Sequence, residues 1–224
     1  MLRLHIQTSE VLRYLRVTGQ PDKALQARVD QACEAVCQAA VPRYTCRYFP
    51  LERRPEGLCP RGSGLVLAGQ AIAKHLEGCD GCYLMAATLG AGVDRLIARS
   101  QASDMAFALM LDAAASDGIE YVCDYAEAEL SFAERQKGGF LTGRFSPGYG
   151  DLSITIQKDF LFAVDAPRKI GLTVSAGGIL LPQKSVTAIL GRADRPVGGV
   201  KKGCGSCSLR EDCQYRKDGL RCGR

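Results

Sequence analysis

The sequence predicts an α+β fold in which helices pack against a mostly antiparallel, twisted sheet, with a small cysteine-rich tail at the C-terminus. Helical periodicity dominates residues 9–40 and 93–134, whereas short strand-like runs separated by Gly and Pro dominate residues 152–190. Because the two kinds of element come in blocks rather than in alternation, their order favours an α+β domain over a doubly wound parallel sheet. We therefore expect one domain over residues 1–200 and a basic tail over residues 201–224.

The first half of the chain is interpreted from its periodicity and its turn residues. Val11, Leu12 and Leu15 recur at helical spacing behind a Thr/Ser pair, and a longer run with the same pattern ends before Pro42. The next segment alternates and is rich in aromatic residues, which suit a pleated strand. The elements expected here are helices over residues 9–15 and 21–40, a strand over 44–49, a loop over 53–64, a strand followed by a helix over 65–77, and a buried strand over 82–89.

The second half begins with a long helix-forming stretch over residues 93–134. We expect two or three helices there, with a break near Ser116, which Asp and Gly follow. Beyond the glycine pair at Gly138, the composition changes to short apolar runs bounded by Gly and Pro. The strands expected in this part cover residues 152–157, 160–164, 171–174 and 186–190.

Between these blocks lies the segment Arg144-Phe-Ser-Pro-Gly-Tyr149. Pro147 fixes one backbone angle, Gly148 permits a turn or the close approach of a ligand, and Arg144 offers a planar guanidinium for a carboxylate. The segment therefore predicts a rigid turn that presents backbone amides and one cation. An ordinary turn with a surface arginine is the alternative.

The pattern Arg144-x-x-x-Gly148-Tyr149 resembles the S-adenosylmethionine-binding motif of the activation domain of cobalamin-dependent methionine synthases. Further resemblance lies in Tyr125-Ala-Glu-Ala before the motif and in residues 170–175 and 181–187 after it. Over the first 120 residues the chain is more similar to small free-standing members of the family than to the fused domain. The resemblance implies that S-adenosylmethionine is bound by Arg144, Ser146, Gly148, Tyr149 and Glu127.

Two features of the family's site have no match in this sequence. These are an aspartate in an amino-terminal segment and a tyrosine beyond the Lys-Ser-Val stretch. A scaffold that keeps the fold without the ligand is therefore one alternative. Glu127 also has a second interpretation, because it shares one predicted helix with Glu120, Glu129 and Glu134, and most of these side chains must face water.

The resemblance implies a protein that acts in trans on a cobalamin-binding methionine synthase or a related corrinoid protein. One-electron reduction of the partner's oxidised cofactor, by a separate electron-donor protein, is coupled in that family to methyl transfer from S-adenosylmethionine. Cobalamin is expected only on the partner, because the sequence lacks an Asp-x-His-x-x-Gly motif. The chain's task would be to position the sulfonium methyl group, and we expect no catalytic side chain of its own.

The tail contains Cys204, Cys207, Cys213 and Cys222 in the spacing C-x2-C-x5-C-x8-C. These four thiols lie close together in sequence, among Gly and charged residues, and such a segment fits a small lobe organised by a metal. Zinc would make the lobe structural and an iron–sulfur cluster would make it an electron entry point, while free thiols on a basic tail are the third interpretation. An iron–sulfur electron carrier or activator for another corrinoid methyltransferase is accordingly the alternative function.

Composition limits the remaining classes of function. With 46% hydrophobic residues, 224 residues suffice for an ordinary core, and no run approaches the roughly eighteen apolar residues of a membrane span. Because the start also lacks a secretion signal, we expect a cytoplasmic protein without a membrane partner. Eleven cysteines, an odd number, argue for reduced thiols or metal ligands. Residues 201–224 carry most of the net charge of +5, so we expect no nucleic-acid partner for the body.

Overall fold

A computed structural model describes residues 2–197 of the chain. The four tail cysteines predicted to hold a metal lie outside the described residues. In chain order, the described elements are α1 (Thr8–Tyr14), α2 (Lys23–Ala39), β1 (Arg43–Arg54), β2 (Gly57–Pro60), α3 (Gln70–His75), β3 (Gly81–Thr88), α4 (Ala91–Gln101), α5 (Met105–Gln136), β4 (Phe140–Leu141), a 3-10 turn (Ile154–Ile156), α6 (Gln157–Ala163), α7 (Ala166–Ile170), β5 (Thr173–Val174), β6 (Leu180–Leu181) and β7 (Ser185–Ala193).

Five strands form one antiparallel sheet in the order β2-β1-β3-β7-β4, while β5 and β6 pair in a separate two-stranded ribbon. Strand β3 lies at the centre because it is apolar on both faces, and every residue in it except Tyr83 is buried. It pairs along its whole length with β1 on one side and with β7 on the other. The predicted α+β class, with helices on an antiparallel sheet, is confirmed.

Helices cover both faces of the sheet, so the fold has three layers. Because side chains alternate across a strand, Met85 and Ala87 pack into the same cluster as the buried residues of α1, α2, α4 and α5. Leu84 and Ala86 face the opposite cluster, which is built with α3, α6 and α7. Phe145 joins this second cluster, and the chain that follows α5 is thereby fixed against α3.

The helix break expected near Ser116 is wrong, because α5 runs unbroken from Met105 to Gln136. The polar residues at the expected break serve tertiary contacts instead. The carboxylate of Asp117 accepts a hydrogen bond from the backbone N–H of Gln7 at 2.7 Å. A side chain at Gly118 would come within 3.3 Å of Leu4, so the glycine lets the N-terminal segment pack closely on α5.

Two of the predicted strands are helical. Residues 152–157 contain the 3-10 turn Ile154–Ile156 and the first residue of α6, and residues 160–164 cover the rest of α6 and its C-cap, where buried Phe160, Leu161 and Val164 follow helical spacing. Short apolar runs do not distinguish strand from helix by periodicity alone, which explains the error. The expected loop over residues 53–64 contains β2, and the strand expected before α3 is reduced to one bridge between Leu58 and Leu67. The other expected helices and strands are present, with shifted ends.

Candidate functional site

After α5 the chain returns along β7, and this return positions Arg144. The N–H of Phe145 donates to the carbonyl of Ile189 at 2.9 Å, and the N–H of Ile189 donates back at 2.8 Å. This pairing holds Phe145 against the cluster that contains α3. Successive side chains of an extended segment point to opposite faces, so the side chain of Arg144 turns toward α5.

Arg144 contacts three carboxylates of α5, and we call these four residues the Arg144 cluster. Its guanidinium lies 2.9 Å from Glu120, 2.8 Å from Asp124 and 2.8 Å from Glu127. The arginine side chain is only 11% exposed. Burial favours its neutral form, but the acidic neighbours outweigh burial and raise the pKa of Arg144 above its ordinary value. The cluster therefore combines one fixed cation with three carboxylates.

Residues 144–149, which we call the motif turn, are held by hydrogen bonds of their own. The N–H of Gly148 donates to the carbonyl of Leu152 at 2.8 Å, and the N–H of Tyr149 donates to the carbonyl of Ser146 at 3.1 Å. The expectation that the turn presents free amides is therefore wrong at these two positions. Gly148 has φ of +92°, and a side chain there would approach Ile154 to 3.2 Å, which explains the glycine. The ring of Tyr149 is 68% exposed.

Helix α3 anchors the segment beyond the motif turn. The carboxylate of Asp151 accepts hydrogen bonds from the N–H groups of Gln70 at 2.6 Å and Ala71 at 3.0 Å, and so caps the start of α3 from a distant part of the chain. These two hydrogen bonds lower the pKa of Asp151. The approach is close, since a side chain at Gly150 would come within 2.7 Å of Ala71.

The other end of α3 contacts the segment before the motif turn. Nε2 of the buried His75 lies 2.9 Å from the hydroxyl oxygen of Thr142, which also accepts from the N–H of Gly191 at 2.8 Å. The rings of His75 and Phe145 are 5.1 Å apart. The motif turn is thus connected to both ends of one short helix.

The predicted site residues fall into one region in two groups. Glu127 and Arg144 contact each other directly, while Ser146, Gly148 and Tyr149 form the turn that follows Arg144. Sequence reasoning missed Glu120 and Asp124 as partners of Arg144. Their positions relative to Glu127 place all three carboxylates on one face of α5, and this helical spacing is the signal that could have identified them.

Cys79 and Cys82, two of the seven cysteines among residues 2–197, form a Cys-x-x-Cys pair at the start of β3. Burial raises the pKa of Cys79 and brings that of Cys82 to about 12, so both thiols of the Cys-x-x-Cys pair are protonated at neutral pH. This favours packing over redox chemistry for the pair.

Within residues 2–197, no group of three or more His, Cys, Asp or Glu side chains is arranged to hold a metal ion. No helix of the described chain is long and apolar enough to cross a bilayer.

Among solved structures, the chain is similar to a crystal structure of the MetH reactivation domain bound to AdoHcy, with a TM-score of 0.58 and 14% sequence identity. The match covers 97% of this chain and 87% of that chain. At this identity the likeness shows a shared fold, and it supports the resemblance seen in the sequence at that level alone. No protein-family model matches the sequence, and no curated protein matches it significantly.

Proposed function

We propose that this chain binds S-adenosylmethionine at the Arg144 cluster and the motif turn, and that it serves as a reactivation component of a cobalamin-dependent methionine synthase. The observation that carries the proposal is the contact of Arg144 with Glu127 at 2.8 Å. The motif resemblance implicated both residues, although 17 positions separate them in sequence. The similar fold of a reactivation domain that binds AdoHcy supports the same ligand class.

The charges of the Arg144 cluster suit the ligand. S-adenosylmethionine carries a carboxylate, an α-ammonium and a sulfonium, whereas the cluster pairs one guanidinium with three carboxylates. The ligand's carboxylate would take the place of Glu120, the most exposed partner at 46%, on the guanidinium. Glu127, only 21% exposed, would accept the ammonium group. The exposed ring of Tyr149 is available to cover the ligand from the solvent side.

The reaction itself would come from the ligand and from the partner's corrinoid. After a separate protein supplies one electron, methyl transfer from S-adenosylmethionine leaves a neutral thioether and traps the reduced corrinoid. The chain would contribute position, since an aligned donor and acceptor supply much of the acceleration. The rigid attachment of the motif turn to α3 and β7 suits this role, because the turn is held by hydrogen bonds before any ligand arrives.

The cysteine tail enters the proposal as a metal-binding lobe formed by Cys204, Cys207, Cys213 and Cys222. Zinc would stabilise the lobe, whereas an iron–sulfur cluster would bring electrons close to the partner's corrinoid. With an iron–sulfur cluster in the tail, the chain would be an electron carrier or activator for another corrinoid methyltransferase.

A reactivation assay tests the proposed function. A cobalamin-binding methionine synthase fragment that lacks its own reactivation domain is held in its oxidised, inactive form and mixed with this chain, a one-electron donor and S-adenosylmethionine. We expect the corrinoid absorbance to change to that of the methylated form only when the chain and S-adenosylmethionine are both present. At a subsaturating concentration of S-adenosylmethionine, Arg144→Ala should slow the change about 10- to 100-fold, while Arg168→Ala, at an 84% exposed arginine, should not. Equal rates with and without the chain would contradict the proposal.

A further inference from the structure

His75 combines deep burial with an incomplete set of hydrogen bonds. Its side chain is 2% exposed, and its Nδ1 is the only buried side-chain nitrogen or oxygen within residues 2–197 that has no hydrogen-bond partner. Its other ring nitrogen, Nε2, contacts the hydroxyl of Thr142. A buried polar atom without a partner costs free energy and calls for an explanation.

The hydrogen bonds of Thr142 assign the tautomer of His75. The threonine hydroxyl donates to the carbonyl of Gly143 at 3.0 Å and accepts from the N–H of Gly191 at 2.8 Å. With its one hydrogen assigned to that carbonyl, the hydroxyl accepts from His75, and this hydrogen-bond network assigns the proton to Nε2. A second proton would have to enter at Nδ1, which is buried and makes no hydrogen bond, so only the nearby carbonyls of Gly143 and Ile189 would favour it, and burial outweighs them.

This arrangement links the state of His75 to the motif turn. Thr142 lies two residues before Arg144, and the ring of Phe145, which follows Arg144, contacts the His75 ring in a tilted arrangement with centroids 5.1 Å apart. At the opposite end of α3, Asp151 caps the helix from beyond the turn. A change at His75 therefore acts on the segment that holds Arg144 in place.

We propose, on the basis of the function proposed above, that His75 is a positioning residue for the motif turn, and that a proton on its ring weakens ligand binding by releasing residues 142–145 from α3. The ring does not touch the ligand in this account. Protonation of the ring at low pH changes its contacts with Thr142 and Phe145, and these two residues move the motif turn.

Few charges face the ring. The pKa of His75 is lowered, chiefly by burial, which outweighs the carbonyls of Gly143 and Ile189 that favour the protonated form. No charged side chain is among the causes. Five other titratable groups lie on the elements packed around the ring. Lys74 is exposed, and Cys79 is a buried thiol with a raised pKa. Arg144 is paired with Glu127 on the opposite face, Arg192 is paired with Glu134, and Asp151 lies at the far end of α3.

Calorimetric titration of the full chain with S-adenosylmethionine between pH 7.5 and pH 5.0 tests the inference. Gln at position 75 would keep a donor near Nε2 but does not titrate, so the affinity of His75→Gln at pH 7.5 is the reference for that variant's own change on acidification. Wild type should lose at least about threefold more affinity than His75→Gln on acidification, within the limit of tenfold per pH unit for one linked proton. His5→Gln, at an exposed histidine, should retain the wild-type dependence on pH.

A second measurement needs no variant at position 75. The chain has only two histidines, so the imidazole NMR signals of His75 can be assigned by comparison with His5→Gln. Because linkage is reciprocal, saturating S-adenosylmethionine should lower the pKa of His75 further. An unchanged pKa, or equal acid sensitivity of wild type and His75→Gln, would overturn the role of His75. If no binding occurs at pH 7.5, the proposed function fails instead, and the two failures are distinguishable.

Discussion

Replacing Arg144 by Ala removes the only cation of the Arg144 cluster and leaves three carboxylates of α5 facing one another. Glu120 and Asp124 are 46% and 32% exposed, so solvent screens their ion pairs with Arg144, and each contributes at most about 1 kcal/mol. The hydrogen bond to Glu127, 21% exposed, is worth about 1.5–3 kcal/mol. We therefore expect the free energy of unfolding to fall by about 1.5–5 kcal/mol.

Urea unfolding at pH 7, followed by circular dichroism, measures this loss. Arg168 provides a matched control, because it forms an ion pair with Asp165 at 2.7 Å but is 84% exposed. Arg168→Ala should change the free energy of unfolding by less than about 0.5 kcal/mol. A double-mutant cycle with Glu127→Gln should give a coupling energy above about 1 kcal/mol for the pair. If Arg144→Ala is no more destabilising than the control, the Arg144 cluster does not hold the motif turn.

Two further predictions concern other parts of the chain. Glu134 is 4% exposed and accepts hydrogen bonds from Tyr83 at 2.6 Å and Arg192 at 3.1 Å, so Glu134→Ala should cost about 2–3 kcal/mol in urea unfolding, and a loss below 0.5 kcal/mol would contradict this network. Its pKa is lowered, because these partners outweigh burial, so wild type but not the variant should lose this stability as pH falls below about 4. In the tail, elemental analysis of protein purified without oxygen should find one metal centre per chain, with zinc or with iron and labile sulfide. Metal-free protein in which Cys204, Cys207, Cys213 and Cys222 are all freely alkylated would exclude that centre.

The layered fold was predictable where the pattern is long. The apolar run of β3 and the long helix-forming stretch of α5 each indicated the correct element. Local composition failed where a tertiary contact decides the conformation. Asp117 and Gly118 suggested a helix break, but the structure uses them to bind the N-terminal segment, 110 positions away in the case of Gln7. The helix propensities of the residues do not predict such tertiary contacts.

The arrangement of the candidate site was predictable in part for the same reason. A local motif identified Arg144 and its turn, and the resemblance added Glu127 from a neighbouring helix. The residues that hold the turn are remote in sequence, since 67 positions separate His75 from Thr142 and 81 separate Gln70 from Asp151. No spacing rule connects them, and only the packing of α3 against the second face of the sheet brings them together.

Titration of the purified chain with S-adenosylmethionine tests the central claim most directly. We predict saturable binding at one site per chain, weakened about 10- to 100-fold by Arg144→Ala at a temperature where both proteins are folded. The control Arg168→Ala, with a solvent-exposed ion pair, should bind as tightly as wild type. Absence of saturable binding to wild type, or equal affinity in wild type and Arg144→Ala, would contradict the account.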